Sequence, residues 1–169
     1  RPEPIRRGSS GKMMRPILTL LVAKEMGEVV TPSLNSAISL ELLHTASLVH
    51  DDVVDEAGER RGQASVNKKY DNKVAVLLGD YLLSLSLAQA AQTRNLDAVS
   101  IIARLGGTLS EGEIFQLENI DNEVLSESAY FRIVERKTAA LFSACAQLGA
   151  ISVGADAKCV ETARRLGEI

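Results

Sequence analysis

Three aspartates near one end of a predicted helix are the residues in this sequence best suited to chemistry. Residues 51–55 read DDVVD and lie close to the C-terminal end of a predicted helix that begins at Thr31. A helix turns by about 100° per residue, so Asp51 and Asp55 share a face and Asp52 lies beside them. Carboxylates repel one another at this spacing and oppose the helix dipole, so the arrangement favours a bound cation.

The donor atoms of this cluster indicate which cation it would take. All of them are carboxylate oxygens with no Cys or His cluster nearby, which favours a hard ion. Mg2+ typically binds through one or two carboxylates together with phosphate oxygens, so the implied ligand is a magnesium–diphosphate complex. Ser47 and His44 continue the same helix face and predict a pocket wall. An acidic pattern of this length also occurs at solvated helix ends.

Two basic segments could supply the positive charge that a diphosphate requires. Arg60 and Arg61 follow the aspartates in a turn at residues 58–62, and a planar guanidinium can bind phosphate with two hydrogen bonds. Lys12 and Arg15 belong to a glycine-bracketed loop that leads into a helix, which predicts an anion site. No Ser or Thr follows Lys12, which argues against a nucleoside triphosphate loop. Each segment alone is also compatible with an ordinary basic surface.

Helical periodicity dominates the chain. Apolar residues recur at helical spacing almost throughout, and sustained strand-like alternation is absent. The sequence therefore predicts an all-α fold in one domain, residues 1–169, without a repeat or a linker. Gly106, Gly107 and Gly112 fall inside one predicted helix, where they are unfavourable unless another helix or a ligand approaches closely. The predicted helices span residues 16–26, 31–56, 64–70, 73–93, 97–118, 126–152 and 156–169.

Composition and charge exclude several classes of function. The chain has 19 basic and 22 acidic residues and a net charge of −3, so there is no general basic field for nucleic acid. The apolar stretch at residues 74–88 is interrupted by Asp80, and no transmembrane segment is predicted. Cys145 and Cys159 have neither metal-site spacing nor a disulfide-dense context. These features predict a cytoplasmic protein.

The order and spacing of these motifs resemble the trans-polyprenyl diphosphate synthases, the family of farnesyl and geranylgeranyl diphosphate synthase. The resemblance covers essentially the whole chain, and the joint pattern is far more specific than any single motif. The matching segments are GKMMRP at 11–16, ELLHTASLVHDDVVD at 41–55, RRG at 60–62, GDYLL at 79–83, GEIFQL at 112–117 and KTA at 137–139.

The resemblance implies an isoprenoid-synthase-type helical bundle around a central cavity. It also implies a homodimer and a Mg2+-dependent reaction in which isopentenyl diphosphate is condensed with an allylic diphosphate primer. Matched position by position, Asp51 and Asp55 would bind Mg2+ with support from Asp52, and Arg60 and Lys137 would grip the allylic diphosphate. The remaining matched residues would be Lys12, Arg15, His44 and Arg61 for isopentenyl diphosphate, and Gln116 and Thr138 in the allylic site.

Two small residues bear on the length of the product. In the family, the growing chain extends toward the helix level of Ala46 and Ser47, where a bulky aromatic side chain would form a floor. The small side chains here imply a product longer than farnesyl, in the long-chain class.

One departure from the family pattern limits these expectations. Family members carry a second aspartate-rich motif in their C-terminal half, whereas Asp51-Asp52 is the only adjacent aspartate pair here. We therefore expect a partial chain that ends before the second motif and holds half of the metal site. A non-catalytic or regulatory subunit of such a synthase is the main alternative.

Two further alternatives account for less of the sequence. A terpene cyclase could share the aspartate-rich helix, but it has no second diphosphate for Lys12, Arg15 and Arg61 to bind. A purely structural helical protein gives no reason for the charged motifs to occur together.

Overall fold

Helices account for almost all of the secondary structure. The structure, a computed structural model, describes residues 13–60, 62–119 and 126–168, so the predictions for Lys12 and Arg61 lie outside the described residues. The helices are α1 (Met14–Met26), α2 (Thr31–Val54), α3 (Val66–Lys69), α4 (Asn72–Gln92), α5 (Leu96–Glu118), α6 (Glu127–Val134), α7 (Ala140–Ser152) and α8 (Ala157–Leu166). The predicted all-α class is confirmed.

A minimal hairpin replaces the turn that the sequence predicted after the aspartates. Strand β1 (Glu59–Arg60) pairs with β2 (Gln63–Ala64) in antiparallel register, so that Arg60 lies opposite Gln63. Gly62 has a φ of 75°, a left-handed conformation that glycine adopts without steric cost. The hairpin returns the chain from the end of α2 to α3 and places Arg60 beside that end.

The C-terminal ends of α2 and α8 differ from prediction. Helix α2 stops at Val54 rather than residue 56 because Glu56 adopts a left-handed φ of 50°. The Ala57 amide donates to the Asp52 carbonyl and the Glu56 amide donates to that of Val53, which together form a Schellman ending. Helix α8 was expected to continue to the last residue, which is wrong, because it ends at Leu166.

The main core lies between α2, α5 and α7. Helix α2 supplies Leu40 and Leu43, which are almost fully buried, and α4 adds Ala90. Burying such side chains stabilises a fold by roughly 1.5–3 kcal/mol each. The other members of this core are Ala98, Ile101, Ile102, Leu105 and Leu109 from α5, and Leu141, Ala144, Cys145 and Leu148 from α7. Helix α2 is thereby fixed on several sides, which gives its C-terminal end a defined position.

Helices α2 and α4 approach each other closely along their length. The Ser39 hydroxyl donates to the Ser86 carbonyl at 2.8 Å, and the Ser86 hydroxyl donates to the Ser39 carbonyl at 2.8 Å. Further along, His50 Nε2 lies 3.1 Å from the Val76 carbonyl and 3.3 Å from Asp80 Oδ1. A Cβ atom on Gly79 would overlap the His50 imidazole. Gly79 is therefore required for the contact next to Asp51.

Helix α4 exposes an apolar outer face. Within the described part of the chain, α4, with 21 residues, is the helix that is long and apolar enough to cross a bilayer. No transmembrane segment was predicted here because Asp80 interrupts the apolar stretch. Its inner face packs on α2 through the contacts above. Leu77 and Tyr81 are 68% and 60% exposed on the outer side. Leu77 and Tyr81 are four residues apart and therefore share one face of the helix.

A π-helical turn interrupts the long helix predicted over residues 126–152. The turn spans Glu135–Ala139 and joins α6 to α7 without a break in the chain direction. It lies against α5 at Gly112, where a Cβ atom would be 3.0 Å from Arg136 Cβ and 3.2 Å from Lys137 Cγ. Single π-turns occur frequently at functional sites because they redirect side chains within a helix. Here the redirected residues include Lys137 and Thr138.

We predict that Gly79→Ala lowers the free energy of unfolding by about 1–3 kcal/mol, because the added methyl group displaces the His50 ring. The matched control is Gly107→Ala, since a Cβ atom at that helical position meets nothing within 4 Å. The control should be neutral or slightly stabilising, because Ala is the better helix former. The double variant His50→Ala/Gly79→Ala should recover stability relative to Gly79→Ala. Urea unfolding measures all three, and equal stability of Gly79→Ala and wild type would contradict the close approach.

Candidate active site

A cavity of about 740 Å3 lies between α2, α4, α5 and the π-turn. Its wall is mainly apolar, with charged and polar side chains added from α1, α2, α5 and the π-turn. The apolar and small members are Leu43, Ala46, Leu48, Val54, Leu83, Leu87, Ile102, Ala103, Gly106, Gly107, Leu109, Ile114, Leu117 and Leu141. The polar members are Arg15, His44, Ser47, His50, Asp51, Ser110, Glu113, Lys137 and Thr138.

The predicted stripe on α2 forms part of this wall. His44, Ser47 and Asp51 all line the cavity, as their spacing along one helix face indicated. Ala46 also lines it, although its side chain is only 2% exposed. Ala46 and Asp51 are separated by about 7.5 Å along the helix axis at 1.5 Å per residue. The small residues therefore sit one to two turns from the carboxylate, along the same cavity.

Asp51 is a carboxylate in an environment that disfavours its charge. The pKa of Asp51 is raised to about 6, first by burial and then by the nearby Glu113 carboxylate, while Lys137 partly opposes both effects. Asp55 adds a smaller repulsion and Arg60 a smaller attraction. A shift of this kind in a cleft is typical of a functional site, because a structural carboxylate would more often be stabilised by its partners.

Asp52 has a different environment from the other two aspartates. Its side chain is 7% exposed and lies against Arg60, whose Nε donates to Oδ1 at 2.8 Å while Nη2 lies 2.7 Å from the same oxygen. Asp52 is therefore paired with Arg60 and, unlike Asp51, does not line the cavity. One residue after Asp51 on a helix, it is rotated by about 100° away from the cavity. Its bond to Arg60 raises the pKa of that guanidinium.

Asp55 lies at the end of α2 rather than inside it. It is the C-cap residue and is exposed, and its amide donates to the Asp51 carbonyl. Its charge acts on Asp51 and on Arg60. Asp51, Asp55 and Arg60 therefore belong to one charged cluster, of which Asp51 lines the cavity.

Lys137 is held on the cavity wall by two residues of α5. Its Nζ donates to Glu113 Oε2 at 2.5 Å and to Gln116 Oε1 at 2.9 Å. The structure thereby brings Lys137 and Gln116, both matched to the family's allylic site, into direct contact. Thr138, the next residue of the π-turn, lines the same cavity. Arg15 reaches the cavity from the start of α1 and also lies over the Phe142 ring.

Glu113 is a site residue that the sequence analysis did not select. Its side chain is 12% exposed, it pairs with Lys137, and it acts on Asp51. Glu113 Oε1 is buried and has no hydrogen-bond partner within the part of the chain that the structure describes. The sequence spacing could have identified Glu113, because it lies three residues before the predicted site residue Gln116 and therefore shares its helix face.

The carboxylates fit the donor set expected for a hard divalent cation. Asp51 and Asp55 offer oxygen atoms only, and burial and the Glu113 charge raise the pKa of Asp51 despite the nearby Lys137 and Arg60. Among residues 13–60, 62–119 and 126–168, no three candidate ligands lie close enough to hold an ion by themselves. Mg2+ characteristically uses one or two protein carboxylates and completes its shell with phosphate oxygens and water, so this donor set suits it.

Comparisons with known proteins identify the family of this chain. A model of the family described as polyprenyl synthetase matches residues 5–169. The octaprenyl diphosphate synthase of Haemophilus influenzae is 40% identical over 144 residues, which cover 85% of this chain and 44% of that protein. The heptaprenyl diphosphate synthase component 2 of Geobacillus stearothermophilus is 38% identical over 147 residues, covering 87% and 46%.

A solved structure gives the same result for the fold. The polyprenyl synthase of Caulobacter crescentus, complexed with calcium and isoprenyl diphosphate, superposes with a TM-score of 0.90 at 34% identity. The match covers 94% of this chain and 48% of that one. The chain thus spans about half the length of the relatives it matches. Since the family model covers nearly the whole sequence and the fold agrees, the chain belongs to the polyprenyl synthetase family.

Proposed function

We propose that the protein carrying this chain is a prenyltransferase that condenses isopentenyl diphosphate with an allylic diphosphate. The observation that carries the proposal is the wall of the 740 Å3 cavity, where Asp51, Lys137 and Thr138 adjoin a long apolar surface. A diphosphate needs the charged part and a prenyl tail needs the apolar part. A prenyl diphosphate combines both requirements in one molecule.

The charged residues would divide between two diphosphates. Lys137 and Arg60 would bind the allylic diphosphate, while Arg15 and His44 on the same cavity would bind isopentenyl diphosphate. Lys12 and Arg61, outside the described residues, are proposed for the second group on the family pattern alone. The structural relative from Caulobacter crescentus, which was complexed with isoprenyl diphosphate, supports this assignment of ligand class.

Mg2+ is the proposed cofactor, held by Asp51 and Asp55. When bound, it would stabilise negative charge on the departing diphosphate. Asp52 would act indirectly, because its pairing with Arg60 at 2.7–2.8 Å fixes the Arg60 guanidinium near Asp51 and Asp55, the two proposed metal ligands. The calcium in the Caulobacter crescentus relative supports a hard divalent ion in this family.

The chain's own side chains would promote ionisation of the allylic carbon–oxygen bond. Lys137 and Arg60 place positive charge where the diphosphate oxygens gain electron density, which lowers the barrier because these groups are already oriented. The isopentenyl double bond then attacks the allylic cation, and a proton leaves to the released diphosphate. The apolar wall, including Leu83, Ile102 and Leu141, would exclude water that could quench the cation.

Product length would be set by the small residues on α2. Ala46 and Ser47 line the cavity and leave room for a growing tail beyond the length of farnesyl. The names of the Haemophilus influenzae and Geobacillus stearothermophilus relatives, octaprenyl and heptaprenyl synthases, support a product longer than C15.

Association and location complete the proposal. The apolar outer face of α4, with Leu77 and Tyr81 exposed, would form a homodimer interface in the cytoplasm. A relative named component 2 favours a second possibility, in which this chain works with a different subunit. A regulatory rather than catalytic subunit remains the alternative function, and it predicts diphosphate binding without turnover.

The proposed activity can be tested by Mg2+-dependent incorporation of labelled isopentenyl diphosphate, using farnesyl diphosphate as primer and the native protein that carries this chain. We expect products longer than C15. Asp51→Asn should lower the rate by about 100-fold or more, because it removes a carboxylate that would hold the charge-stabilising Mg2+. Asp97→Asn, an exposed position at the start of α5, is the control and should retain activity. Absence of Mg2+-dependent incorporation would contradict the proposal, and activity only with an added second protein would favour the two-subunit alternative.

Ala46→Phe should shorten the product, because a phenyl ring would fill part of the cavity that receives the tail. Ser47→Phe should act in the same direction and guards against misfolding of a variant at the buried Ala46. Thr45→Phe is the control, since Thr45 is on the same helix turn but does not line the cavity. Chromatography of the dephosphorylated products measures the length distribution. Unchanged lengths in two folded variants would overturn this role for the α2 residues.

The raised pKa of Asp51 predicts a pH-dependent gain in stability on neutralising it. The pKa is about 6 in the folded protein against 3.8 in the ordinary case, so ionised Asp51 destabilises the metal-free fold above that value. Asp51→Asn should therefore raise the melting temperature in EDTA at about pH 8, and its advantage should disappear as the pH falls through about 6 toward 4. Mg2+ should raise the melting temperature of wild type only. A stability difference independent of pH would contradict the burial effect.

A further inference from the structure

Two ion pairs join α5 to the π-turn, one on each side of Gly112. Arg136 Nη1 lies 3.4 Å from Glu111 Oε2 on the outer side, where Glu111 is 65% exposed. Lys137 Nζ lies 2.5 Å from Glu113 Oε2 on the cavity side, where Glu113 is 12% exposed. The close contact of α5 with the π-turn at Gly112 therefore places the Arg136–Glu111 pair toward solvent and the Lys137–Glu113 pair against the cavity. Only the inner pair can influence a ligand of the cavity.

The inner pair neutralises a cation that the diphosphate would need. With Lys137 bound to Glu113, and Arg60 bound to Asp52, each of these two cations is balanced by a carboxylate. Among the described residues, neither Asp51 nor Asp55 has an ion-pair partner of its own at this end of α2. A free diphosphate, itself strongly anionic, would be repelled by these two carboxylates.

Glu113 is also placed so that an arriving cation would change its partner. Its Oε1 is buried without a hydrogen bond in the described part of the chain, so the carboxylate is only half satisfied by Lys137. Glu113 and Asp51 line the same cavity, and the charge of Glu113 raises the pKa of that aspartate. A divalent ion at Asp51 would compensate Glu113 as well and weaken its hold on Lys137.

We propose that Glu113 makes diphosphate binding conditional on the metal: it holds Lys137 while the site is metal-free and releases it to the diphosphate when a divalent cation binds. Glu113 is thus a specificity-determining residue that favours metal-complexed over free diphosphate. The inference rests on the proposed function, because it assumes that diphosphate binds at Lys137 and Asp51. No direct bond between Glu113 and the cation is required.

Calorimetric titration of inorganic diphosphate into the native protein tests this inference. Affinities are measured in EDTA and in excess Mg2+ for wild type, Glu113→Gln and the matched control Glu111→Gln. The Gln side chain retains shape and an acceptor oxygen for Lys137 but removes the charge. We expect Glu113→Gln to bind free diphosphate about fivefold or more tightly than wild type and to show a correspondingly smaller gain on adding Mg2+. Glu111→Gln should resemble wild type in both conditions.

A second variant separates this role from a purely structural one. In a Lys137→Ala background, Glu113→Gln should lose most of its effect on metal-free affinity, because the inference acts through that lysine. Equal weakening of both affinities by Glu113→Gln would show that Glu113 merely orders Lys137, and would overturn the proposal. Unchanged affinities would overturn it as well.

The same titrations distinguish this failure from failure of the proposed function. If wild type binds diphosphate with Mg2+ but Glu113→Gln behaves identically, only the role of Glu113 is wrong. If wild type binds diphosphate under neither condition, the diphosphate site itself is wrong and both proposals fall. Melting temperatures of all variants establish that each is folded before its affinity is interpreted.

Discussion

The ion pair between Asp52 and Arg60 is the interaction on which the geometry of the charged site depends. Asp52 is 7% exposed and Arg60 is 37% exposed, so solvent partly screens the pair, but loss of Arg60 would leave the Asp52 carboxylate buried without its cation. The pair ties the hairpin to the last turn of α2, and the Asn67 side chain attaches α3 by donating to the Asp52 carbonyl at 3.0 Å. With Asp52 committed in this way, Asp51 is the aspartate left to face the cavity.

The neighbouring carboxylates of the site differ in whether a cation of the protein pairs with them. Asp52 and Glu113 have cationic partners, whereas Asp51 is partly buried and repelled by its neighbours. A protein selected only for stability would gain by replacing Asp51 with a neutral residue. The loss of stability caused by ionised Asp51 is understandable if a bound cation supplies the positive charge that the protein does not. A site whose carboxylates were all neutralised by protein cations would have little electrostatic preference for a metal ion.

Much of the fold and part of the site follow from local sequence rules. The periodicity of α2 predicted its course and the stripe of His44, Ser47 and Asp51, since every residue on one face obeys the same 3.6-residue repeat. The early end of α2 was not predictable, because the left-handed residue is Glu56 rather than glycine. The π-turn was also missed, since its i→i+5 bonds leave no distinct apolar pattern. Without that turn, the pairing of Lys137 with Glu113 could not be foreseen.

The glycines of α5 show how packing and ligand space can be told apart. At Gly112 a side chain would press on Arg136 and Lys137, so the residue is explained by helix contact alone. At Gly107 a Cβ atom would meet nothing within 4 Å, and at Gly106 only Leu43 at 3.7 Å, yet both line the cavity. Glycine in a helix interior costs about 1 kcal/mol relative to Ala, and neither position recovers that loss by closer packing within the described chain. The space they leave open is therefore best understood as room for a ligand against the helix backbone, which is where a prenyl tail lying beside Ala46 would need it.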